Sequence, residues 1–156
     1  MCLQYGVIVG WADDIPSVRP TVRHVGRLGV GALEALGISG NVGALVRTAA
    51  VFGVGGIVLL DAEVDVYDRR LIRASRGHLF SLPVVRATTD VFLTFCGQHD
   101  LTLLVTNPHA SCPVDALAGF QSRLAIAFGN EKEGYSRALL EASTSGLSTR
   151  TGCVRA

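Results

Sequence analysis

Short, continuous apolar segments alternate with stretches of helical periodicity from about residue 29 onward, and this alternation constrains the fold more than any other feature. Apolar segments without polar alternation are typical of strands that are buried on both faces of a parallel sheet. Predicted strands lie within 29–36 and at 56–60, 82–86, 101–105 and 124–128, and predicted helices at 41–52, 68–77, 89–96 and 136–142. We therefore predict an α/β domain whose mostly parallel sheet carries helices on both faces.

The 156 residues suffice for one such domain with a sizeable core. We expect this domain at residues 29–142, with an N-terminal remnant or linker at 1–28 and a divergent or truncated tail at 143–156. The tail has no hydrophobic period, so it is predicted to supply neither a closing strand nor a closing helix.

Composition excludes several classes of protein. Hydrophobic residues make up 49% of the chain, yet no apolar run approaches the ~18 residues of a spanning helix, and no signal peptide is recognisable. We therefore predict a cytoplasmic protein.

The net charge of +1 does not indicate a polyanionic partner, although Lys132 is the only lysine among 14 basic residues. Arginine suits phosphate recognition, but codon bias explains the same composition. The cysteines lack metal-ligand spacing, and no metal site is expected; they are Cys2, Cys96, Cys112 and Cys153.

The first segment with chemical potential runs from residue 40 to 49. Asn41 is predicted to cap the helix, and the small Gly43 would let an anion or a ribose approach the helix N-terminus. The predicted inner stripe consists of Leu45, Ala49 and Phe52. Arg47 lies about 200° around the helix from Leu45, off that stripe. A solvated surface arginine after a simple turn remains an alternative.

The second segment is rich in arginine. In the predicted helix 68–77, Arg69, Arg73 and Arg76 follow the i, i+4, i+7 spacing of one helical face, which would suit RNA phosphates. The alternative is a solvated face that is partly paired with Asp65 and Asp68.

The third segment, 128–136, connects an apolar strand to a helix. Ligands of open α/β sheets bind beyond the carboxyl ends of the strands, where Gly129 would permit close approach and Glu131 would accept hydrogen bonds. We predict that Asn41, Arg47 and Glu131 converge near this edge. A polar loop without function is the alternative.

In this order, the three segments resemble the SpoU (TrmH-like) branch of the SPOUT RNA methyltransferases. The family's first motif resembles the segment Asn41-x-Gly43-x-x-x-Arg47-x-Ala49 of this chain. Its second motif resembles the segment Gly129-Asn130-Glu131-x-x-Gly134-x-Ser136. The stretch 68–85 is more specific, and it resembles the ribosomal RNA 2'-O-methyltransferases of thiostrepton and nosiheptide resistance. The resemblance extends over about residues 27–143.

The resemblance implies a knotted fold, a homodimer, and S-adenosylmethionine as methyl donor for 2'-O-ribose methylation of RNA, here 23S ribosomal RNA. It implies that Arg47 acts on the target 2'-hydroxyl and that Asn41 and Glu131 hold the site. Because a guanidinium is effectively always protonated, orientation and charge stabilisation suit Arg47 better than proton abstraction. The implied donor-binding residues are Thr106, Asn107 and Gly129, and the implied RNA-binding residues are Arg69, Arg73 and Arg76. For Arg76, contact with the edge of the donor is the alternative.

Two departures from the family pattern bear on activity. The family's third motif, an Ile-Pro-Met-like turn followed by a Ser-Leu-Asn-led helix, has no match after Ser143, and 1–28 is too short for the family's upstream RNA-binding domain. We therefore expect weak binding of S-adenosylmethionine. An impaired remnant with weak RNA binding is the alternative function. A Rossmann-like nucleotide binder is disfavoured because the glycine spacing of its fingerprint is missing.

Overall fold

The computed structural model describes residues 28–34, 39–61, 64–107, 112–113, 117, 122–130 and 134–148. The strands of this part are β1 (Leu28–Glu34), β2 (Ile57–Leu60), β3 (Val84–Ala87), β4 (Thr102–Thr106), β5 (Cys112–Pro113), β6 (Leu124–Phe128) and β7 (Ser145–Ser148). The α-helices are α1 (Ser39–Val51), α2 (Arg69–Ala74), α3 (Thr89–Gln98) and α4 (Arg137–Ala142), and a 3-10 turn covers His78–Phe80. Of the predicted N-terminal segment, residues 1–27 lie outside the described residues.

The strands form one sheet in the order β3-β2-β1-β6-β4-β7-β5, and all described pairings are parallel. The predicted α/β fold with a parallel sheet is therefore confirmed. Because the strands are parallel, their C-terminal ends all lie at the same edge of the sheet, which we call the carboxyl edge. From β1 the chain moves outward through β2 to β3. It then crosses to β4, on the other side of β1 and β6, so the strand order reverses beside β1 and β6. Ligands of open α/β sheets bind at such a reversal.

Helices cover both faces of the sheet and explain the continuous apolar segments. On one face, Phe92 and Phe95 of α3 and Leu139 of α4 pack against the strands. On the other face, Val42 and Val46 of α1 are buried together with apolar side chains of α2 and the 3-10 turn. The predicted inner stripe of α1 is thus partly wrong. Phe52, which directly follows the last residue of α1, is 72% exposed, and the buried positions of the helix are Val42, Gly43 and Val46.

The C-terminal segment corrects a second prediction. Residues Ser145–Ser148 form β7, which pairs with β4 from Leu104↔Ser145 to Thr106↔Leu147 and also with β5. Strand formation here does not need a hydrophobic period, because neighbours on both sides supply backbone hydrogen-bond partners. β7 extends the sheet past the predicted domain limit at residue 142. The predicted absence of a closing helix now concerns residues 149–156, which lie outside the described residues. The implied knot depends on the chain path through residues that are also not described, and it stays a prediction; these residues are 108–111, 114–116 and 118–121.

Gly43 determines how closely α2 packs on α1. A Cβ atom placed on Gly43 would lie 2.4 Å from the Cβ of Ala74 and 2.9 Å from the backbone nitrogen of Ser75. The space beside Gly43 is therefore filled by the end of α2. The prediction that an anion or a ribose approaches there is wrong, and the small residue serves helix packing instead.

We expect Gly43→Ala to lower the free energy of unfolding by about 1–3 kcal/mol, because the new methyl group forces α2 away from α1. Gly97 in α3 is the matched control, since a Cβ there meets nothing within 4 Å. Gly97→Ala should raise stability by about 0.5–1 kcal/mol through helix propensity. Urea unfolding followed by circular dichroism measures both variants. Equal shifts for both would contradict the packing role of Gly43.

Candidate functional site

The first motif lies on α1, which follows β1 at the carboxyl edge. The helix already begins at Ser39, so Asn41 lies in the first turn, and the prediction that it caps the helix is wrong. Its side chain is exposed. Arg47 is half-buried and lies one turn after Gly43, on the flank of α1 that faces α2. It stands about 9 Å further along the helix axis than Asn41.

The arginine-rich segment is only partly helical. α2 ends at Ala74: the backbone N–H of Ser75 still donates to the carbonyl oxygen of Leu71, as in a helix, but that of Arg76 donates to Arg73, and Gly77 has a φ of 82°. Arg76 has a φ of 50°, in the left-handed region that non-glycine residues adopt only where the surrounding structure imposes it. The predicted shared helical face therefore holds for Arg69 and Arg73 and is wrong for Arg76.

The arginine side chains of this segment are exposed and are not held by ion pairs with described residues. Asp68 instead caps α2 by accepting a hydrogen bond from the backbone N–H of Arg70 at 2.9 Å, and it accepts one from Ser39 Oγ at 2.7 Å. These two bonds, and then the charge of Arg70, hold the pKa of the Asp68 carboxyl below its ordinary value. The bond to Ser39 also joins the start of α2 to the first residue of α1.

The second motif directly follows β6, and its described residues contact one another. Asn130 and Gly134 exchange backbone hydrogen bonds of 3.0 and 2.9 Å, and Gly134 has a φ of 74°. A Cβ atom on Gly129 would lie 2.7 Å from the carbonyl oxygen of Gly134 and 2.9 Å from the ring of Tyr135. Gly129 is therefore required by its own loop. Glu131 lies outside the described residues, so its convergence with Asn41 and Arg47 stays a prediction.

Tyr135 ties the ends of two strands together, and the sequence analysis missed it. Its hydroxyl lies 2.5 Å from Thr106 Oγ1, 2.6 Å from the carbonyl oxygen of Thr106 and 3.0 Å from that of Ala127. The last register pair of β4 and β6 is Val105↔Ala127. The hydroxyl therefore continues the link between the strands where their ladder ends. A tyrosine in a polar loop gives no signal for such a role.

Glu34 is the second residue that the sequence analysis missed. Its side chain stands at the end of β1, is only 4% exposed, and accepts a hydrogen bond of 2.9 Å from the backbone N–H of Ser136. Buried carboxylates require such partners. The loop after β6 is thus anchored to β1 by Glu34 and to β4 by Tyr135. An acidic residue at the end of an apolar strand is the signal that could have identified Glu34.

The carboxyl edge consequently brings three polar groups together on neighbouring strands. Thr106 and Asn107 are half-buried at the end of β4, and the half-buried backbone of Gly129 follows β6 beside them. Hydroxyl, amide and backbone groups at a strand-order reversal fit the hydrogen-bonding groups of a nucleoside. Within the described ranges, no cluster of histidine, cysteine and acidic residues could hold a metal ion. No described helix is long and apolar enough to cross a bilayer.

Known proteins are similar to this chain in sequence and in structure. The chain is 41% identical, over 74% of its length and 43% of the relative's, to the 23S rRNA (adenosine(1067)-2'-O)-methyltransferase of Streptomyces laurentii. It superposes with a TM-score of 0.70 on an RNA 2'-O ribose methyltransferase, at 32% identity over 81% of this chain and 48% of that one.

A further neighbour is the SpoU methyltransferase AviRb from Streptomyces viridochromogenes in complex with AdoMet. It aligns with a TM-score of 0.69 at 27% identity, over 93% of this chain and 56% of that one. The chain spans about two fifths of the length of the curated relatives it matches. The sequence model of the SpoU rRNA Methylase family matches residues 30–150, and the chain belongs to this family.

Proposed function

We propose that this chain is the catalytic domain of an S-adenosylmethionine-dependent 2'-O-ribose methyltransferase that acts on 23S ribosomal RNA. One observation carries the proposal. The two family motifs follow β1 and β6, and these strands are direct neighbours whose last register pair is Leu33↔Phe128. Both motifs therefore border the same part of the carboxyl edge, where a donor and a ribose could meet.

In this proposal, Thr106, Asn107 and Gly129 hold the methyl donor, which supplies an activated methyl group when it is bound. Tyr135 keeps these positions in register through its bonds to Thr106 and to β6. S-adenosylmethionine thus meets half-buried polar groups of two adjacent strands. The expectation of weak donor binding rests on the residues after Ser143. β7 occupies 145–148 of them and 149–156 lie outside the described residues, so the expectation stays a prediction.

Arg47 would orient the target 2'-oxygen and stabilise the negative charge that develops on it during methyl transfer. A guanidinium offers donors for this task and cannot take up the hydroxyl proton, which would pass to solvent water as the methyl group moves from the donor's sulfur to the 2'-oxygen. Asn41, in the first turn of the same helix, would position the ribose by hydrogen bonds from its amide. Glu131 would support the site from the loop after β6.

Arg69, Arg73 and Arg76 would bind RNA phosphates, because their side chains are exposed and their charges are not offset by ion pairs with described residues. The Streptomyces relative named above supports 23S ribosomal RNA as the substrate. Homodimer formation and a role in resistance to thiopeptide antibiotics complete the proposal. The alternative, an impaired remnant, assumed a tail without a strand, and β7 removes this part of its support.

Transfer of labelled methyl groups tests the proposal. The purified chain is incubated with tritiated S-adenosylmethionine at millimolar concentration, which compensates for weak binding, and with unmodified 23S or 16S ribosomal RNA. We expect time-dependent label in 23S RNA and none in 16S RNA. A folded protein that labels neither RNA would contradict the proposal and favour the impaired remnant.

A further inference from the structure

An exposed tyrosine ring borders the arginine-rich segment. Tyr67 is 66% exposed, whereas Val64 and Val66 in the same loop are buried in the core below α1 and α2. The backbone N–H of Tyr67 donates to Asp65 Oδ1 at 2.9 Å, and that of Asp68 donates to the carbonyl oxygen of Asp65 at 3.0 Å. The backbone around Tyr67 is therefore held on both sides while its ring is presented outward.

The same loop places Tyr67 between the first motif and the arginines. Asp68, the next residue, is bonded to Ser39 at the start of α1, two residues before Asn41. On the other side follow the exposed Arg69 and Arg70. The carboxylates of this loop are turned to local hydrogen bonds: Asp65 accepts from Tyr67, and Asp68 caps α2. Tyr67 thus stands in a loop that directly precedes two exposed arginines and is joined through Asp68 to the start of α1.

We propose that Tyr67 is a stacking platform for an unpaired RNA base next to the nucleotide that is methylated. This inference rests on the proposed function and adds to it that the substrate is single-stranded or looped at the site. Proteins recognise such RNA by stacking splayed bases on aromatic rings while cationic side chains contact the backbone. A ring on a pre-ordered loop needs little further ordering when the base binds.

Binding of two RNA probes to the full chain tests this inference. Fluorescence anisotropy is measured with a labelled 12-nucleotide single strand and a 12-base-pair duplex, across a series of salt concentrations. We expect Tyr67→Ala to weaken single-strand binding about tenfold, with duplex binding and the salt slope unchanged. Tyr67→Phe keeps the ring and should bind the single strand like the wild type. Arg69→Ala should weaken the binding of both probes. It should also reduce the slope of log affinity against log salt concentration by about one unit.

The outcomes separate the two hypotheses. If Tyr67→Ala binds the single strand as tightly as the wild type while Arg69→Ala binds more weakly, the stacking role is wrong and the proposed function stands. If the wild type binds neither probe, both are contradicted. The circular dichroism spectrum of Tyr67→Ala should match that of the wild type, which shows that the variant is folded. Single-strand binding by Tyr67→Phe that is as weak as that of Tyr67→Ala would overturn the platform, because Tyr67→Phe keeps the ring.

Discussion

Replacing Arg47 by alanine is expected to lower the rate of methyl transfer by about a hundredfold or more without unfolding the protein. Loss of one preorganised group that stabilises developing charge costs about 10²–10³ in rate. The side chain is half-buried on the flank of α1 and lies outside its buried stripe, Val42 and Val46, so its removal opens no core cavity. Initial rates at saturating donor and RNA, together with the unfolding midpoint, measure the two effects separately.

Arg137 provides the matched control for this variant. It is an exposed arginine on α4 whose bond to Glu141, at 2.6 Å, is a surface ion pair of little energetic value. Arg137→Ala should retain the wild-type rate. Arg47→Lys keeps the positive charge but loses the planar fork of donors, so it should fall between the wild type and the alanine variant. An unchanged rate in Arg47→Ala would rule out the proposed role.

Replacing Tyr135 by phenylalanine should raise the KM for the methyl donor about tenfold while kcat changes less. The variant removes the hydroxyl that bridges Thr106 and Ala127. The carbonyl oxygen of Ala127 keeps the Thr106 hydroxyl as a donor at 3.3 Å, whereas that of Thr106 loses its side-chain donor, at a cost of about 1–3 kcal/mol. The ends of β4 and β6 would then lose the geometry that presents Thr106 and Gly129 to the donor. Tyr135 is thus a positioning residue, and donor titrations at fixed RNA concentration give KM and kcat.

Thr94→Val is the control for removal of a hydroxyl group. Thr94 donates to the carbonyl oxygen of Asp90 on the exposed side of α3, away from the strand ends. This variant should leave the KM for the donor unchanged. If Tyr135→Phe also leaves it unchanged, the strand-end bridge does not shape the donor site.

The sequence predicted the central strands well because each is buried on both faces. All four residues of Ile57–Leu60 are buried, and a run of this kind leaves little choice between a strand and a loop. The same logic located β6 at its observed bounds, Leu124–Phe128. The family motifs were also recognisable, because short spacings of polar and glycine residues are local properties of the chain.

The features that sequence analysis missed depend on distant parts of the chain. β7 forms because β4 and β5 flank it, and its own residues carry no strand pattern. Glu34 meets the backbone of Ser136 across 102 positions of sequence. The small Gly43 predicts access for a ligand, yet the end of α2 occupies the space beside it. Long-range packing decides each of these cases, and the periodicity of one segment cannot reveal it.

The most direct test of the account identifies the methylated atom. Ribosomal RNA treated with the purified chain and S-adenosylmethionine is digested to nucleosides, and mass spectrometry distinguishes methyl groups on the ribose from those on the base. We predict about one additional 2'-O-methylated nucleoside per 23S RNA, which is absent when Arg47→Ala replaces the wild type. A methyl group on a base, or an equal yield of 2'-O-methylation with Arg47→Ala, would contradict the account.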